Sequence, residues 1–155
     1  MPVETHRINV KTRGGSQVLD LTPQLVKVLD DARIANGIAT LFVVGSTAGI
    51  TTTEYEPGLV NHDLKHYFNK FAPEDATYRH EETWHDDNGH AHVRASLLGP
   101  SLTVPFVDRR PTLGTWQQVV LIDFDTRPRT REVVIQLIGE RLLPWRQHFH
   151  GRPAT

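Results

Sequence analysis

The sequence predicts an α+β domain in which two small, mostly antiparallel sheets form a sandwich with two main helices. Its segments follow the order β–α–β–β–α–loop–β–β–β, which has too few helices for a doubly wound parallel sheet. The two clearest strand patterns, residues 116–124 and 132–138, are separated by a short basic loop typical of an antiparallel hairpin. A length of 155 residues fits one such domain.

The first segments are a strand and a helix. Residues 5–12 alternate polar and apolar side chains, which is the pattern of a half-buried strand. Thr22 and Pro23 are typical of a helix start, with Thr22 as the N-cap and Pro23 at the first helical position. Gly37 is placed to end this helix, because glycine readily adopts the left-handed conformation found after many helices.

The following segments lead to a polar loop. Residues 37–45 are apolar and partly β-branched, which predicts a buried strand, and the threonine-rich residues 50–55 predict the strand beside it. Apolar side chains at helical spacing predict the second helix over residues 60–71. Residues 73–100 are polar and rich in histidine, and they precede a strand at 102–107 whose internal proline indicates an edge or a bulge.

The composition excludes several classes of function. The formal net charge is −1, so no overall positive field attracts nucleic acid or anionic lipid. No apolar run approaches the roughly 18 residues of a membrane helix, and the first residues do not resemble a signal peptide. We therefore expect a cytoplasmic protein without nucleic-acid or membrane partners. Because the chain has no cysteine, any metal must be held by His, Asp or Glu.

The densest group of chemically active side chains lies in the polar loop. It holds four of the nine histidines together with four carboxylates: His80, Glu81, Glu82, His85, Asp86, Asp87, His90 and His92. On a strand, His90 and His92 would share one face and could bind one ion such as zinc. On a helix the same rings diverge by roughly 200°. The alternative is a solvated loop in which the histidines bond to the carboxylates.

Other segments offer weaker candidates for ligand contacts. The small residues of 45–54 expose backbone amides and hydroxyls. Glu54 lies in a strand of threonines, where it either faces water, pairs with a cation or serves a site, because an unpaired buried carboxylate is costly. Trp116 and Gln117 could stack on and hydrogen-bond a planar ligand, or they could be a core and a surface residue. Arg94 is either an anion ligand or an ordinary surface charge. No Gly-x-Ser-x-Gly motif supports serine catalysis.

Taken together and in order, these segments resemble the YjbQ family over roughly residues 5–140. The segments that carry the resemblance are STAGITTTE (46–54), PEDATYRH (73–80), DNGHAH (87–92), ASLLGPS (95–101), LGTWQ (113–117) and VVIQLIGE (133–140). The resemblance implies one domain of residues 1–140, followed by a C-terminal extension of residues 141–155 without clear periodicity.

The family resemblance also implies an assembly and a site. It implies a homotrimer whose sheets pack around a threefold axis, with a polar pocket at or near the subunit boundaries. The residues that fall on family motif positions are Glu54, His80, Asp87, His92, Thr115, Trp116 and Gln117. Many members have His where this chain has Ser46, so an ion held partly through that position would need a different ligand here, which the extra histidines His85 and His90 could supply. The activity associated with the family is a weak, secondary thiamine-phosphate synthase activity.

These observations lead to one functional hypothesis and one alternative. The hypothesis is a trimeric enzyme with a divalent metal, zinc first, that joins a thiazole phosphate to a pyrimidine pyrophosphate and releases pyrophosphate. Its residues are His80, His90 and His92 as metal ligands, Glu54, Asp87 and Gln117 as catalytic groups, and Arg94, Ser101, Thr115 and Trp116 as substrate contacts. The alternative is a non-catalytic trimeric module that binds a phosphorylated metabolite or a metal.

Overall fold

The computed structural model describes residues 1–142 and confirms the α+β class. Its strands are β1 (Val3–Thr12), β2 (Gln17–Asp20), β3 (Ile34–Val43), β4 (Ala48–Thr53), β5 (Ser101–Val107), β6 (Arg110–Pro111), β7 (Gln118–Asp123) and β8 (Arg129–Arg141). Its helices are α1 (Thr22–Asp31), α2 (Leu64–Phe71), α3 (Glu81–Trp84) and α4 (Gly89–Leu98), with a π-helical turn (Leu59–Asp63) leading into α2. All strand pairs are antiparallel, in a five-stranded sheet of order β1-β8-β3-β5-β6 and a three-stranded sheet of order β2-β7-β4.

Three layers surround two cores. The first core lies between the sheets and includes the apolar face of α1. The second core lies between the three-stranded sheet and the helices α2 and α4. The central strand β7 is buried on both faces, with Val119 and Leu121 in the first core and Val120 and Ile122 in the second. This double burial explains why β7 is a continuous apolar run instead of an alternating one.

The predicted hairpin of the last two strands is wrong. β7 pairs with β2 and β4, whereas β8 lies between β1 and β3 in the other sheet. The chain between them therefore crosses from one sheet to the other. Arg131 of β8 joins the sheets, because its Nε and one terminal nitrogen each donate to the Asp123 carboxylate of β7 at 2.7 Å.

Two predicted helix signals have other roles. α1 begins at Thr22, so this residue is not the N-cap, and its hydroxyl accepts a hydrogen bond from the Val119 amide at 3.0 Å. Gly37 does not end the helix, because α1 stops at Asp31 and Gly37 lies within β3. A Cβ at Gly37 would lie 2.1 Å from the Ile138 carbonyl oxygen, so glycine is required there by the close approach of β8.

The middle of the chain is more ordered than predicted. β4 does not pair with β3, because residues 44–47 carry the chain into the second sheet. Residues 73–100 contain α3 and α4, so the segment 91–98 is a helix. The strand predicted at 102–107 is β5, which has only the two-residue β6 on its outer side.

The predicted C-terminal extension lies almost wholly outside the described residues. Within them, Arg141 still pairs with Ile34, and the Leu142 amide donates to the Arg33 carbonyl oxygen at 2.8 Å. In the part of the chain from residue 1 to residue 142, no helix is long and apolar enough to cross a membrane.

Candidate functional site

Helix α4 positions the histidines of the polar loop. It begins after Asn88 and ends at Gly99, which has a φ of 90° and whose amide donates to the Ala95 carbonyl oxygen at 2.8 Å. The helix packs closely on β4, since a Cβ at Gly49 would lie 2.7 Å from a Leu98 methyl carbon. Because α4 is helical, His90 and His92 diverge by roughly 200° and cannot face the same ion.

The structure brings His80 and His92 together. Their ring centroids are 4.4 Å apart, with an angle of 53° between the ring planes. The His80 Nε2 also lies 3.4 Å from Oδ1 of Asp86, and both atoms are buried without a hydrogen-bond partner among the described residues. His85 and Asp87, with φ values of 53° and 58°, turn the chain on either side of Asp86. The resulting group, two imidazoles and one carboxylate, is called the His80–His92 site below.

The geometry separates His90 from this site. The His90 side chain is buried, and its ring centroid lies 6.3 Å from that of Tyr78. Burial lowers the pKa of His90, and the positive charge of Arg94 lowers it further. His90 therefore lies on the buried side of α4, where its neutral form is favoured.

Arg94 supports the fold instead of facing a ligand. Its side chain is 0% exposed. The guanidinium donates to the Ala72 carbonyl oxygen at 3.0 and 2.6 Å, to Asn69 Oδ1 at 3.1 Å, to Ser16 Oγ at 3.0 Å and to Glu74 Oε1 at 3.4 Å. These contacts account for the five N–H donors of an arginine. The expected role of Arg94 in substrate binding does not fit this placement.

Gln117 and Trp116 lie at the entrance to β7. The Gln117 side-chain amide donates to Thr52 Oγ1 at 3.0 Å, and its carbonyl oxygen accepts from the Gly114 amide at 3.2 Å. Trp116 is 73% exposed, so the alternative that it belongs to the core is wrong. Gln117 and Thr52 also line a cavity of about 120 Å³ between β4 and β5. The side-chain amide of Gln117 is therefore held in place by hydrogen bonds, whereas the ring of Trp116 is exposed.

The other candidate residues are exposed and make no hydrogen bond or ion pair with the imidazole pair among residues 1–142. Glu54 follows the end of β4, Asp87 follows Asp86, and Ser101 and Thr115 lie at the start of β5 and just before β7. Among the hydrogen bonds and ion pairs of residues 1–142, none links these four side chains to His80 or His92. A single chain thus brings the two imidazoles together, but in the part of the chain that the structure describes the predicted catalytic carboxylates of Glu54 and Asp87 make no hydrogen bond or ion pair with them.

The donor set suits a divalent ion only in part. Two imidazoles and a carboxylate are ligands that zinc accepts, and the unpartnered atoms on His80 and Asp86 are of the right type. Within residues 1–142, however, no group of three or more His, Asp or Glu side chains is placed to hold a metal. Asp86 was missed as the neighbour of His80, since nothing in the spacing distinguishes it from Asp87.

The fold and the site define a class of small α+β sandwich proteins with a histidine pair beside a short helix. The chain belongs to the family described as UPF0047 protein YjbQ-like, which matches residues 6–140. It is 33% identical over 135 residues to the UPF0047 protein MJ1081 of Methanocaldococcus jannaschii, covering 87% of this chain and 94% of that protein. It is 32% identical over 133 residues to the UPF0047 protein YugU of Bacillus subtilis, covering 85% and 97%.

Solved structures share the fold. A YbjQ-like protein of unknown function from Sulfolobus solfataricus P2 matches with a TM-score of 0.80 and 28% identity, covering 90% of this chain and 100% of that one. The hypothetical protein APE1520 from Aeropyrum pernix K1 matches with a TM-score of 0.82 and 32% identity, covering 88% and 99%. The agreement extends over nearly the whole length of each relative.

Proposed function

We propose that this protein is a metal-dependent enzyme acting on a phosphorylated small molecule, with a divalent ion, zinc first, held by His80 and His92. The observation that carries the proposal is the 4.4 Å imidazole pair beside a buried, unpartnered His80 Nε2. Buried polar atoms without a partner are uncommon, and a cation or a water that they bind is the usual explanation. When bound, the ion supplies positive charge that offsets the phosphate charge of the substrate.

The residues of the chain have distinct parts in this proposal. Asp86, whose Oδ1 lies 3.4 Å from His80 Nε2, places a negative charge beside an ion held at that nitrogen. Gln117, fixed by Thr52, offers an amide to a polar substrate atom, and the exposed Trp116 offers a flat apolar face. The exposed carboxylates of Asp87 and Glu54 offer negative charge to the positive charge that develops on the pyrimidine substrate, and Ser101 and Thr115 offer hydroxyls to phosphate oxygens.

The proposed reaction joins a thiazole phosphate to a pyrimidine pyrophosphate as a weak secondary activity. The thiazole ring nitrogen forms the new bond to the methylene carbon of the pyrimidine pyrophosphate, whose C–O bond breaks as pyrophosphate leaves. A cation beside the pyrophosphate favours this step because negative charge increases on the leaving group. The support is the combination of the imidazole pair with exposed aromatic and hydroxyl side chains, together with the family resemblance.

The alternative, a non-catalytic binding module, is favoured because Asp87 and Glu54 form no hydrogen bond or ion pair with the imidazole pair within residues 1–142. Pyrophosphate release from the two substrates, measured with zinc present, distinguishes the two functions. We expect Asp87→Asn to lower the rate about 100-fold, the scale of losing one charged group that stabilises the transition state, and His92→Ala to abolish it. His62→Ala, on the exposed face of the π-helical turn, is the matched control and should keep full activity. Stoichiometric substrate binding without any pyrophosphate release would instead establish the binding module.

The proposed assembly is a homotrimer formed through the outer face of the five-stranded sheet. This face carries neighbouring apolar side chains: Ile38 and Phe42 of β3, which are 42% and 44% exposed, lie opposite Ile138 and Val134 of β8. Contiguous exposed apolar side chains of this kind mark interaction surfaces. A neighbouring subunit would also be a source of the ligands that one chain does not supply to the His80–His92 site.

We expect Phe42→Glu to dissociate the trimer, because a carboxylate in an apolar interface loses its hydration without gaining a partner. Light scattering during gel filtration should give about three times the chain mass of 17.6 kDa for the wild type and one chain for the variant. Tyr67→Glu is the control, since Tyr67 is 65% exposed on α2, on the opposite side of the molecule. A monomeric wild type, or a trimer that tolerates Phe42→Glu, would contradict the assembly.

A further inference from the structure

We propose that the turn between β1 and β2 forms a second, separate binding site for a small phosphate ester, with its phosphate group held by Arg13, Lys65 and Ser16. The site is a cavity of about 430 Å³. Residues 13–19 line one side, and Tyr55, Val60, Asn61 and Lys65 line the other. The volume falls in the range of pockets for small organic ligands.

The turn is held in a defined shape. The Gln17 amide donates to the Gly14 carbonyl oxygen at 3.2 Å, and Gly15 and Ser16 have φ values of 62° and 63°, as in a type I′ turn. The Gly15 amide donates to the Asp125 carbonyl oxygen at 2.7 Å. A positive φ is unfavourable for serine, and it persists here because the surrounding contacts fix it. The shape of this wall therefore does not depend on a ligand.

The charge of the cavity favours an anion. Its two charged lining residues, Arg13 and Lys65, are both cations, and none of its lining residues is acidic. Lys65 reaches the turn, since its Nζ lies 3.9 Å from the position of a Cβ on Gly15. Neither cation forms an ion pair within residues 1–142. Because the chain as a whole has a net charge of −1, this positive cavity is a local feature. Two cations suit a phosphate dianion, which accepts several charge-assisted hydrogen bonds.

The polar groups of the lining are available as donors. Ser16 Oγ accepts a hydrogen bond from the buried Arg94 at 3.0 Å, so its own proton is free for another acceptor. Gln17 Oε1 accepts from the Arg13 amide at 2.7 Å, so the Gln17 side-chain NH2 is free to donate. Beside these donors, Tyr55 and Val60 give the cavity an apolar part. The combination fits a phosphate attached to an organic group better than a free anion.

The cavity is distinct from the His80–His92 site. Ser16 is bonded to Arg94, which follows His92 by two residues on α4. Two residues of an α-helix correspond to a rotation of roughly 200°. The two sites therefore lie on opposite sides of α4, and the second one is independent of the function proposed for the first.

Calorimetric titration with phenyl phosphate, in the presence of EDTA, tests this site without a contribution from a bound metal. We expect saturable binding at one site per chain, weaker by about 100-fold in the Arg13→Met/Lys65→Met double variant, because each of the two lost charged hydrogen bonds to phosphate contributes about tenfold. Lys70→Met, a change of another exposed lysine on α2 that does not line the cavity, is the control. Lys70→Met and His92→Ala should both bind phenyl phosphate as the wild type does.

Four outcomes would overturn the proposal. These are a wild type that does not saturate, a double variant that binds normally, equal weakening by Lys70→Met, and loss of binding in His92→Ala, which would move the phosphate to the first site. Inorganic phosphate should bind more weakly than phenyl phosphate, because it does not reach Tyr55 and Val60. Equal affinities would overturn the assignment to an ester.

Discussion

Asp123→Ala is expected to lower the free energy of unfolding by about 4 kcal/mol, because it leaves a buried cation without its main partner. The Asp123 side chain is 0% exposed and accepts two hydrogen bonds from Arg131 at 2.7 Å and one from Thr12 Oγ1 at 2.5 Å. Burial acts to lower the pKa of Arg131, but the bonds and charge of Asp123 more than offset this, so the pKa is raised. In the variant, the nearest remaining carboxylate is Asp125, at 3.5 Å from Arg131.

Asp30→Ala is the matched control for this substitution. Asp30 also accepts from an arginine at 2.7 Å, but both it and its partner Arg110 are exposed. A solvated pair of this kind contributes about 1 kcal/mol or less. Urea unfolding followed by circular dichroism should therefore separate the two variants clearly. Similar losses of unfolding free energy in both variants would show that the buried Asp123–Arg131 pair stabilises the protein no more than an exposed pair does.

Arg94→Ala is expected to cost about 3 kcal/mol, since it leaves several buried acceptors without a donor. The Ala72 carbonyl oxygen accepts from Arg94 twice, and Ser16 Oγ accepts once. Arg94→Lys should recover only part of the loss, because a lysine has one donor group and cannot reach acceptors on different sides. The measurement is again the free energy of unfolding in urea.

Arg79→Ala controls for the loss of a positive charge near α4. Arg79 is exposed, so its removal should change the free energy of unfolding by no more than about 0.5 kcal/mol. If Arg94→Ala is as mild as Arg79→Ala, the buried guanidinium does not hold α2 to α4. In that case the assignment of Arg94 to substrate binding would be open again.

The sequence predicts the class of the fold better than it predicts which strands pair with each other. The run from Val119 to Ile122 identifies a buried strand, but it does not distinguish a strand in a hairpin from one with a core on each face. The contact between β7 and β8 across the two sheets includes the pair Asp123–Arg131, and the sequence does not reveal that these two charges are buried together. Gly37 was misassigned for a related reason, since its role depends on a strand about a hundred residues away.

The site was predicted in part. His80 and His92 lie with their ring centroids 4.4 Å apart, and their role as metal ligands stays a prediction. His90 was grouped with them because the alternation of His and Ala suits a strand as well as a helix, and tertiary packing decides between them. No local sequence pattern predicts the partners of Arg94, since Ser16 is 78 residues away in the chain.

The proposed metal site predicts that the purified protein contains zinc. Elemental analysis of protein purified without a tag, after incubation with zinc and dialysis, should find about one zinc per chain in the wild type. His80→Ala and His92→Ala should each lose it, because each removes one of the two paired imidazoles. His62→Ala, an exposed histidine of the π-helical turn, should keep it. A wild type that retains no zinc, or variants of His80 and His92 that retain as much as His62→Ala, would contradict the proposal of a metal-dependent site.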